Sequence, residues 1–169
     1  MKLVIETNRL FLRELTLDDV ADLSLVLSDN ESMAHYPHAF STDEVRRWIE
    51  RNMERYQTDG FGLWAIIRKS DNQFIGDCGI TMQNIDGELL PEIGFHIIRQ
   101  YCNQGYATEA AESCKIYASK VLSLKTIYSY SRESNKASQR VASKIGMKRI
   151  KTYRQDDVPI VVYSFAVND

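Results

Sequence analysis

Residues 100–110, Q-Y-C-N-Q-G-Y-A-T-E-A, combine the two ingredients of an anion site: backbone that can turn left-handed, and the start of a helix. Asn103 and Gly105 adopt positive φ at low cost and let a ligand approach the main chain. Behind them Ala107, Ala110, Ala111, Cys114, Tyr117, Ala118 and Val121 recur at helical spacing. The first N–H groups of such a helix lack intrahelical partners, and its dipole adds partial positive charge. A phosphate or pyrophosphate fits there. The segment is neither G-x-x-x-x-G-K-[ST] nor G-x-G-x-x-G, which weighs against a nucleotide triphosphatase or a dinucleotide fold. By itself it also suits an ordinary strand-to-helix turn.

The elements around this loop follow from period and punctuation. The apolar run Ile93–Ile98 reads as a buried strand leading into it. Upstream, Leu10–Leu15 reads as a first strand. Thr16-Leu17-Asp18-Asp19 reads as a capping box, with Asp in place of Glu, for a helix burying Val20, Leu23 and Leu27. Ser41-Thr42-Asp43-Glu44 caps a second helix that buries Val45, Trp48, Ile49, Met53 and Tyr56 and stops before Asp59-Gly60. Strands are predicted at 63–68, 74–82 and 89–98, turned at 69–72 and at Asp86-Gly87. After the loop and its helix come a strand at 124–130, a helix at 135–145 ending at Gly146, and a hairpin of 148–154 with 160–167. The expected fold is α/β: a mixed, mostly antiparallel sheet with flanking helices, in the order β-α-α-β-β-β-α-β-α-β-β, with one parallel crossover at the loop.

The chain has 169 residues, 44% hydrophobic and 26% charged, which suits one domain over residues 1–169. A net charge of −2 with no basic stripe argues against nucleic acid as a partner, and leaves an anionic ligand to be held by local geometry. No secretion signal is read, and no apolar run reaches the roughly 18 residues of a membrane span. Cys78, Cys102 and Cys114 are odd in number and form no C-x-x-C, so neither a disulfide frame nor a metal site is expected, and a reducing cytoplasm is the simplest home.

This order, with that loop, resembles the GNAT superfamily of acetyl-coenzyme A-dependent N-acetyltransferases, and within it the ribosomal-protein-alanine acetyltransferase branch. Four stretches carry the resemblance: T-N-R-L-F-L-R-E-L near the start, P-E-I-G-F-H-I before the loop, Q-G-Y-A-T-E-A at the helix start, and N-K-A-S-Q-R-V-A-S-K-I-G-M later. In the family loop pattern Gln100 and Gly105 fit, while Asn103 stands where Gly is usual. The resemblance implies that backbone N–H groups of Cys102, Asn103, Gln104, Gly105, Tyr106 and Ala107 bind the pyrophosphate of coenzyme A. It implies that His96, Ile97 and Ile98 pair with the pantetheine amides like an added strand, and that Asn135 bonds the cofactor arm. A splayed strand offers the unpaired groups this needs. A plain helix N-cap is the alternative for Asn135, and both roles are compatible.

Acetyl transfer to an amine needs a neutral nucleophile, a polarised thioester carbonyl and a leaving thiolate that is stabilised or protonated. The amine is mostly charged near neutrality, so a base helps. Glu92, in the strand before the loop, has a raised pKa if partly buried and is the favoured base; related enzymes often use a Glu there. His96 shares its strand parity and is the alternative base, though a half-buried structural role is favoured for it. Many relatives carry a Tyr acid seven residues after the cofactor Asn; here that position is Ala142, which puts a Tyr acid in doubt. Ser138, Tyr128 and Tyr130 are candidate substitutes among which the sequence does not choose; core packing is favoured for the two tyrosines, and water is an alternative proton source for a thiolate of this basicity. Tyr36 and His38, in M-A-H-Y-P-H with His35, are expected in the acceptor-pocket wall, Tyr36 packing inward.

The expectation is therefore an N-acetyltransferase that moves acetyl from acetyl-coenzyme A to a primary amine, a peptide N-terminus or a small amine, by direct attack in a ternary complex. Its rival is a catalytically silent acetyl-coenzyme A sensor or scaffold, which Ala142 keeps open. A homodimer stays open too, since the sequence shows no identifiable patch that would build one.

Overall fold

Local turn chemistry sets the strand boundaries. Asn72, Asp86, Gly87, Asp156 and Asp157 all have positive φ, between 51° and 84°. The Asp86-Gly87 and Asp156-Asp157 pairs each hold two such residues in a row, the backbone that reverses a twisted hairpin in two residues. The computed structural model describes residues 2–167.

The strands are β1 (Leu3–Glu6), β2 (Leu10–Glu14), β3 (Leu63–Arg68), β4 (Gln73–Ile85), β5 (Glu88–Ile97), β6 (Thr126–Arg132), β7 (Lys148–Gln155) and β8 (Val158–Ala166). The helices are α1 (Val20–Leu27), α2 (Thr42–Thr58), α3 (Tyr106–Lys120) and α4 (Lys136–Lys144). Among the described residues they form one eight-stranded sheet, ordered β1-β2-β3-β4-β5-β6-β8-β7. Every neighbouring pair is antiparallel except β5 and β6, which are parallel and joined by the α3 crossover. The expected fold class and the single crossover are thus observed.

The expected order lacked β1. Its four residues are exposed or half-buried, so no alternating apolar pattern marks it. It is a strand because β2 pairs with it, Leu3 lying opposite Arg13. Two apolar positions also differ from expectation. Met53 and Val121 are 38% and 60% exposed; Met53 lies off the sheet-facing stripe of α2, and Val121 is the residue that ends α3. The Thr16 box opens a short 3-10 turn, Leu17–Asp19, ahead of α1. There Asp19 accepts the Thr16 N–H at 2.8 Å and pairs with Arg13, tying α1 to β2.

Two apolar layers flank the sheet. On one face α3 and α4 cover Trp64, Ile66, Cys78, Ile80, Ile93 and Ile127. On the other, α1 and α2 bury Leu23, Leu27, Val45 and Ile49 over Leu15 and Ala65. α2 is pinned there by polar contacts. Ser41 and Glu44 close its capping box, and buried Asn52 accepts the Leu63 N–H at 2.9 Å. The Tyr56 hydroxyl donates to the Leu63 carbonyl and accepts the Leu15 N–H. α2 is therefore held in register over β3 and β4. No helix among the described residues is long and apolar enough to cross a membrane.

Candidate active site

The sheet opens where β5 meets β6. The two strands share a single rung, Glu92 opposite Tyr128, while β5 stays paired with β4 over its whole length, from Glu88 to Ile97. β5 follows β4 closely: a Cβ on Gly76 would stand 2.0 Å from the His96 carbonyl oxygen. Past Glu92 it leaves β6 behind, and the cleft points at the start of α3. This is the splay that pairing with pantetheine requires. Ile98 differs from expectation, because its N–H already donates to Ile75 (2.9 Å) and its carbonyl accepts from Tyr101 (2.8 Å). β4 takes up the N–H and the tight turn at Arg99–Tyr101 the carbonyl, leaving His96 and Ile97 at the strand end.

At the foot of the cleft the loop has the expected conformation. Asn103 and Gly105 have φ of 61° and 84°. The helical ladder begins with the Glu109 N–H donating to the Gly105 carbonyl at 3.0 Å, so the N–H groups of Tyr106, Ala107 and Thr108 precede it. A Cβ on Gly105 would meet only the Arg9 guanidinium, at 3.2 Å, so the cradle is open apart from a cation. That geometry and charge fit a pyrophosphate. The Gln104 side chain is turned back onto the Gln100 carbonyl at 3.1 Å, leaving its backbone toward the cradle as its useful part.

Arg9 joins the loop although nothing local in the sequence marks it for that role. Its guanidinium bonds Glu109 (2.6 Å) and the Gln104 carbonyl (3.0 Å), and lies 4.3 Å from the Tyr106 ring centre. Thr7 also donates to Glu109, at 2.7 Å. Thr7 and Arg9 from the β1–β2 turn thereby brace the first turn of α3. The signal was present as T-N-R in the opening stretch and T-E-A at the helix start, but nothing local says that the two meet.

Above the loop, Glu92 and His96 share the sheet face toward α2, as strand parity requires, with Gly94 between them. Burial pushes the Glu92 carboxyl up to about 8, partly offset by the Tyr130 backbone N–H and the Arg55 guanidinium. A Cβ on Gly94 would lie 3.3 Å from Glu92 Oε1, so the missing side chain leaves room beside the carboxyl. His96 is held on both nitrogens: Nδ1 to Asp77 Oδ1 at 2.8 Å, and Nε2 to the Tyr36 hydroxyl at 2.7 Å. Asp77, fully buried, also accepts from Trp48 Nε1 at 3.2 Å. Neither Asp77 nor Trp48 is expected at the site from the sequence, because Asp77 sits inside an apolar run and Trp48 reads as core.

The remaining expected residues divide. Tyr36 reaches the site through its hydroxyl, with its ring against His96, while the residue as a whole is 37% exposed. His38 stands at the rim, where its ring bonds Glu44 at 2.9 Å; the pull of the Ser41 N–H on that carboxylate keeps it engaged in the α2 cap. Asn135 caps α4 by accepting the Ser138 N–H at 3.2 Å, which gives both residues a structural task. Ala142 is buried with Ile145 and Met147 against α3, so its position in α4 faces the core. Among the described residues no cluster of His, Cys, Asp or Glu has the makings of a metal site.

The chain matches the family described as acetyltransferase (GNAT) domain over residues 9–148, and it belongs to that family. It is 35% identical over 158 residues to YkkB, an uncharacterized protein of Bacillus subtilis (strain 168), covering 93% of this chain and 92% of that one. A GNAT-family acetyltransferase from Bacillus anthracis has a similar structure, with TM-score 0.81 and 26% identity, each chain covered to 98%. RimL, a ribosomal L7/L12 alpha-N-protein acetyltransferase in complex with coenzyme A, shares the fold at TM-score 0.80 and 16% identity, again with 98% of each chain covered.

Proposed function

We propose that the protein transfers an acetyl group from acetyl-coenzyme A to a primary amine, by direct attack within a ternary complex. One observation carries this reading: Glu92, a carboxyl pushed up to about 8, occupies the single shared rung of β5 and β6, where the cleft opens, with Arg55 of α2 acting on it. The cleft and the loop supply what an extended, doubly amidated, pyrophosphate-bearing donor needs. Glu92 supplies a base of suitable strength for an ammonium acceptor. The coenzyme A bound to RimL, a protein of the same fold, agrees with the donor assignment. His96 and Ile97 would flank the pantetheine, and the amides from Cys102 to Ala107 would meet the pyrophosphate. The reaction would take place in the cytoplasm, where acetyl-coenzyme A is made available.

The acceptor proposed is a peptide N-terminus in preference to a polyamine. The wall over the sheet face of Glu92 and His96 is aromatic: Phe40, Trp48, His96 and Tyr36 follow one another in tilted or edge-on contact, at centroid separations of 5.5–5.6 Å between successive rings. Arg55 acts on Glu92 from α2 and repels a second positive charge on the acceptor. RimL is an N-terminal protein acetyltransferase of the same fold. A panel of short peptides against spermidine tests this. A peptide with a small first residue is expected to lead by about tenfold or more in kcat/KM, about 1.4 kcal/mol in transition-state binding. Spermidine equal to or better than every peptide would move the proposal to small-amine metabolism.

A further inference from the structure

Four side chains from different elements converge at His96: Asp77 from β4, His96 itself on β5, Trp48 from α2 and Tyr36 from the α1–α2 loop. Their hydrogen bonds have a direction. Asp77 has no exposed surface, and both its oxygens accept: Oδ1 from His96 Nδ1 and Oδ2 from Trp48 Nε1. With its proton committed to Nδ1, the neutral imidazole has a free lone pair on Nε2. The Tyr36 hydroxyl therefore donates to Nε2, across 2.7 Å. A hydroxyl whose proton is so committed presents only lone pairs to the pocket, and their complement is an N–H. Burying a carboxylate without a cation is costly, and that cost is relieved if the imidazole beside it takes up a proton.

The inference rests on the reaction proposed above. An ammonium acceptor sheds two protons in becoming an amide, one before attack and one as the N–C bond forms. One ends on the departing thiol and the other in water, so a single base does not serve both at once. We propose that Tyr36, His96 and Asp77 form a second proton outlet of the acceptor site, alongside Glu92. In this step an amine N–H breaks and its electron pair stays on nitrogen. The proton bonds the Tyr36 oxygen as the Tyr36 proton bonds His96 Nε2, leaving an imidazolium paired with Asp77. Tyr36 is the catalytic residue of the relay, His96 its proton acceptor, and Asp77 the positioning residue that fixes the tautomer. The other titratable groups facing this set are Glu92 from β5 and Tyr130 from β6, both of which act on Tyr36, and Tyr56 from α2, on which Asp77 acts, with Arg55 from α2 acting on Glu92.

The test compares kcat against pH for the wild-type chain, Tyr36→Phe and Asp77→Asn, with saturating acetyl-coenzyme A and a short peptide. The coenzyme A-induced rise in melting temperature serves as the control for folding. Both variants are expected to lose about tenfold or more below about pH 7.5, and to regain most of it by about pH 9.5, where the free amine predominates. Asp77→Asn lets the amide donate to Nδ1 and reverses the chain of donors, so a merely structural contact would give a loss that does not change with pH. A Tyr36→Phe profile that matches the wild type, or runs parallel to it at every pH, overturns the relay. If Asp77→Asn shows no coenzyme A shift, Tyr36→Phe decides alone. A wild-type chain without transfer refutes the proposed reaction and the relay together, whereas an active one with parallel profiles refutes only the relay.

Discussion

At the scale of single residues, Glu92 faces opposing demands. Its carboxyl is moved from an ordinary 4.5 to about 8 by burial, which readies it to take a proton from an ammonium. The same shift works against the fold. The folded chain holds this proton more tightly than the unfolded chain, so the contribution to stability is intact below the ordinary carboxyl range and is lost as pH rises through about 8. Glu92→Gln keeps the shape and removes the titration. Its kcat is expected to fall by about 10² or more, with the rise in rate toward pH 8 abolished and coenzyme A affinity little changed. Its melting temperature relative to the wild type is expected to climb between about pH 5 and 8 in calorimetry. A variant with an unchanged pH–rate profile would clear Glu92 and leave His96 as the base.

At the scale of elements, the loop before α3 makes the sharpest statement about ligand binding. Gly105 needs a left-handed backbone and an open side, and the nearest atom to a Cβ there is the Arg9 guanidinium. Coenzyme A at about 100-fold above its Kd should stabilise the fold by roughly 2.7 kcal/mol, or about 5 to 11 °C for a chain of this length. Gly105→Glu is expected to abolish that shift, because its carboxylate occupies the cradle and captures Arg9. The left-handed backbone costs it only about 1–2 kcal/mol, so the variant still folds. A normal shift in this variant would move the pyrophosphate elsewhere.

This loop was legible in the sequence because its chemistry is local. Asn103, Gly105 and the apolar stripe of α3 lie within one strand-to-helix passage. The Ser41 capping box and the Asp86-Gly87 and Asp156-Asp157 turns were legible for the same reason. What the sequence did not disclose depends on pairing across the sheet. The splay follows from β5 keeping to β4 while sharing one rung with β6. The brace of Thr7, Arg9 and Glu109 joins residues 100 or more apart in the chain. Asp77 becomes part of the site only because register sets it opposite His96.

At the scale of the whole molecule, the sheet divides labour between its faces. α3 and α4 seal the larger apolar layer on one side, and α3 also presents its N-terminus to the cleft. α1 and α2 seal the other side and place Trp48, Tyr36 and Arg55 over Glu92 and His96. In the proposed reaction donor and acceptor would approach one point separately, the rung where β5 and β6 part. Such an arrangement suits direct transfer in a ternary complex, with no side chain required to carry the acetyl group between them. The most direct measurement is the initial rate of thiol release with acetyl-coenzyme A and a short peptide both varied, alongside mass analysis of the peptide. Release is expected to require the amine, to match the acetylated peptide mole for mole, and to give intersecting double-reciprocal lines. Coenzyme A binding with thiol release no faster than spontaneous hydrolysis across peptides and small amines would contradict the account and mark a silent binding module, and parallel lines would point to an acetylated enzyme instead.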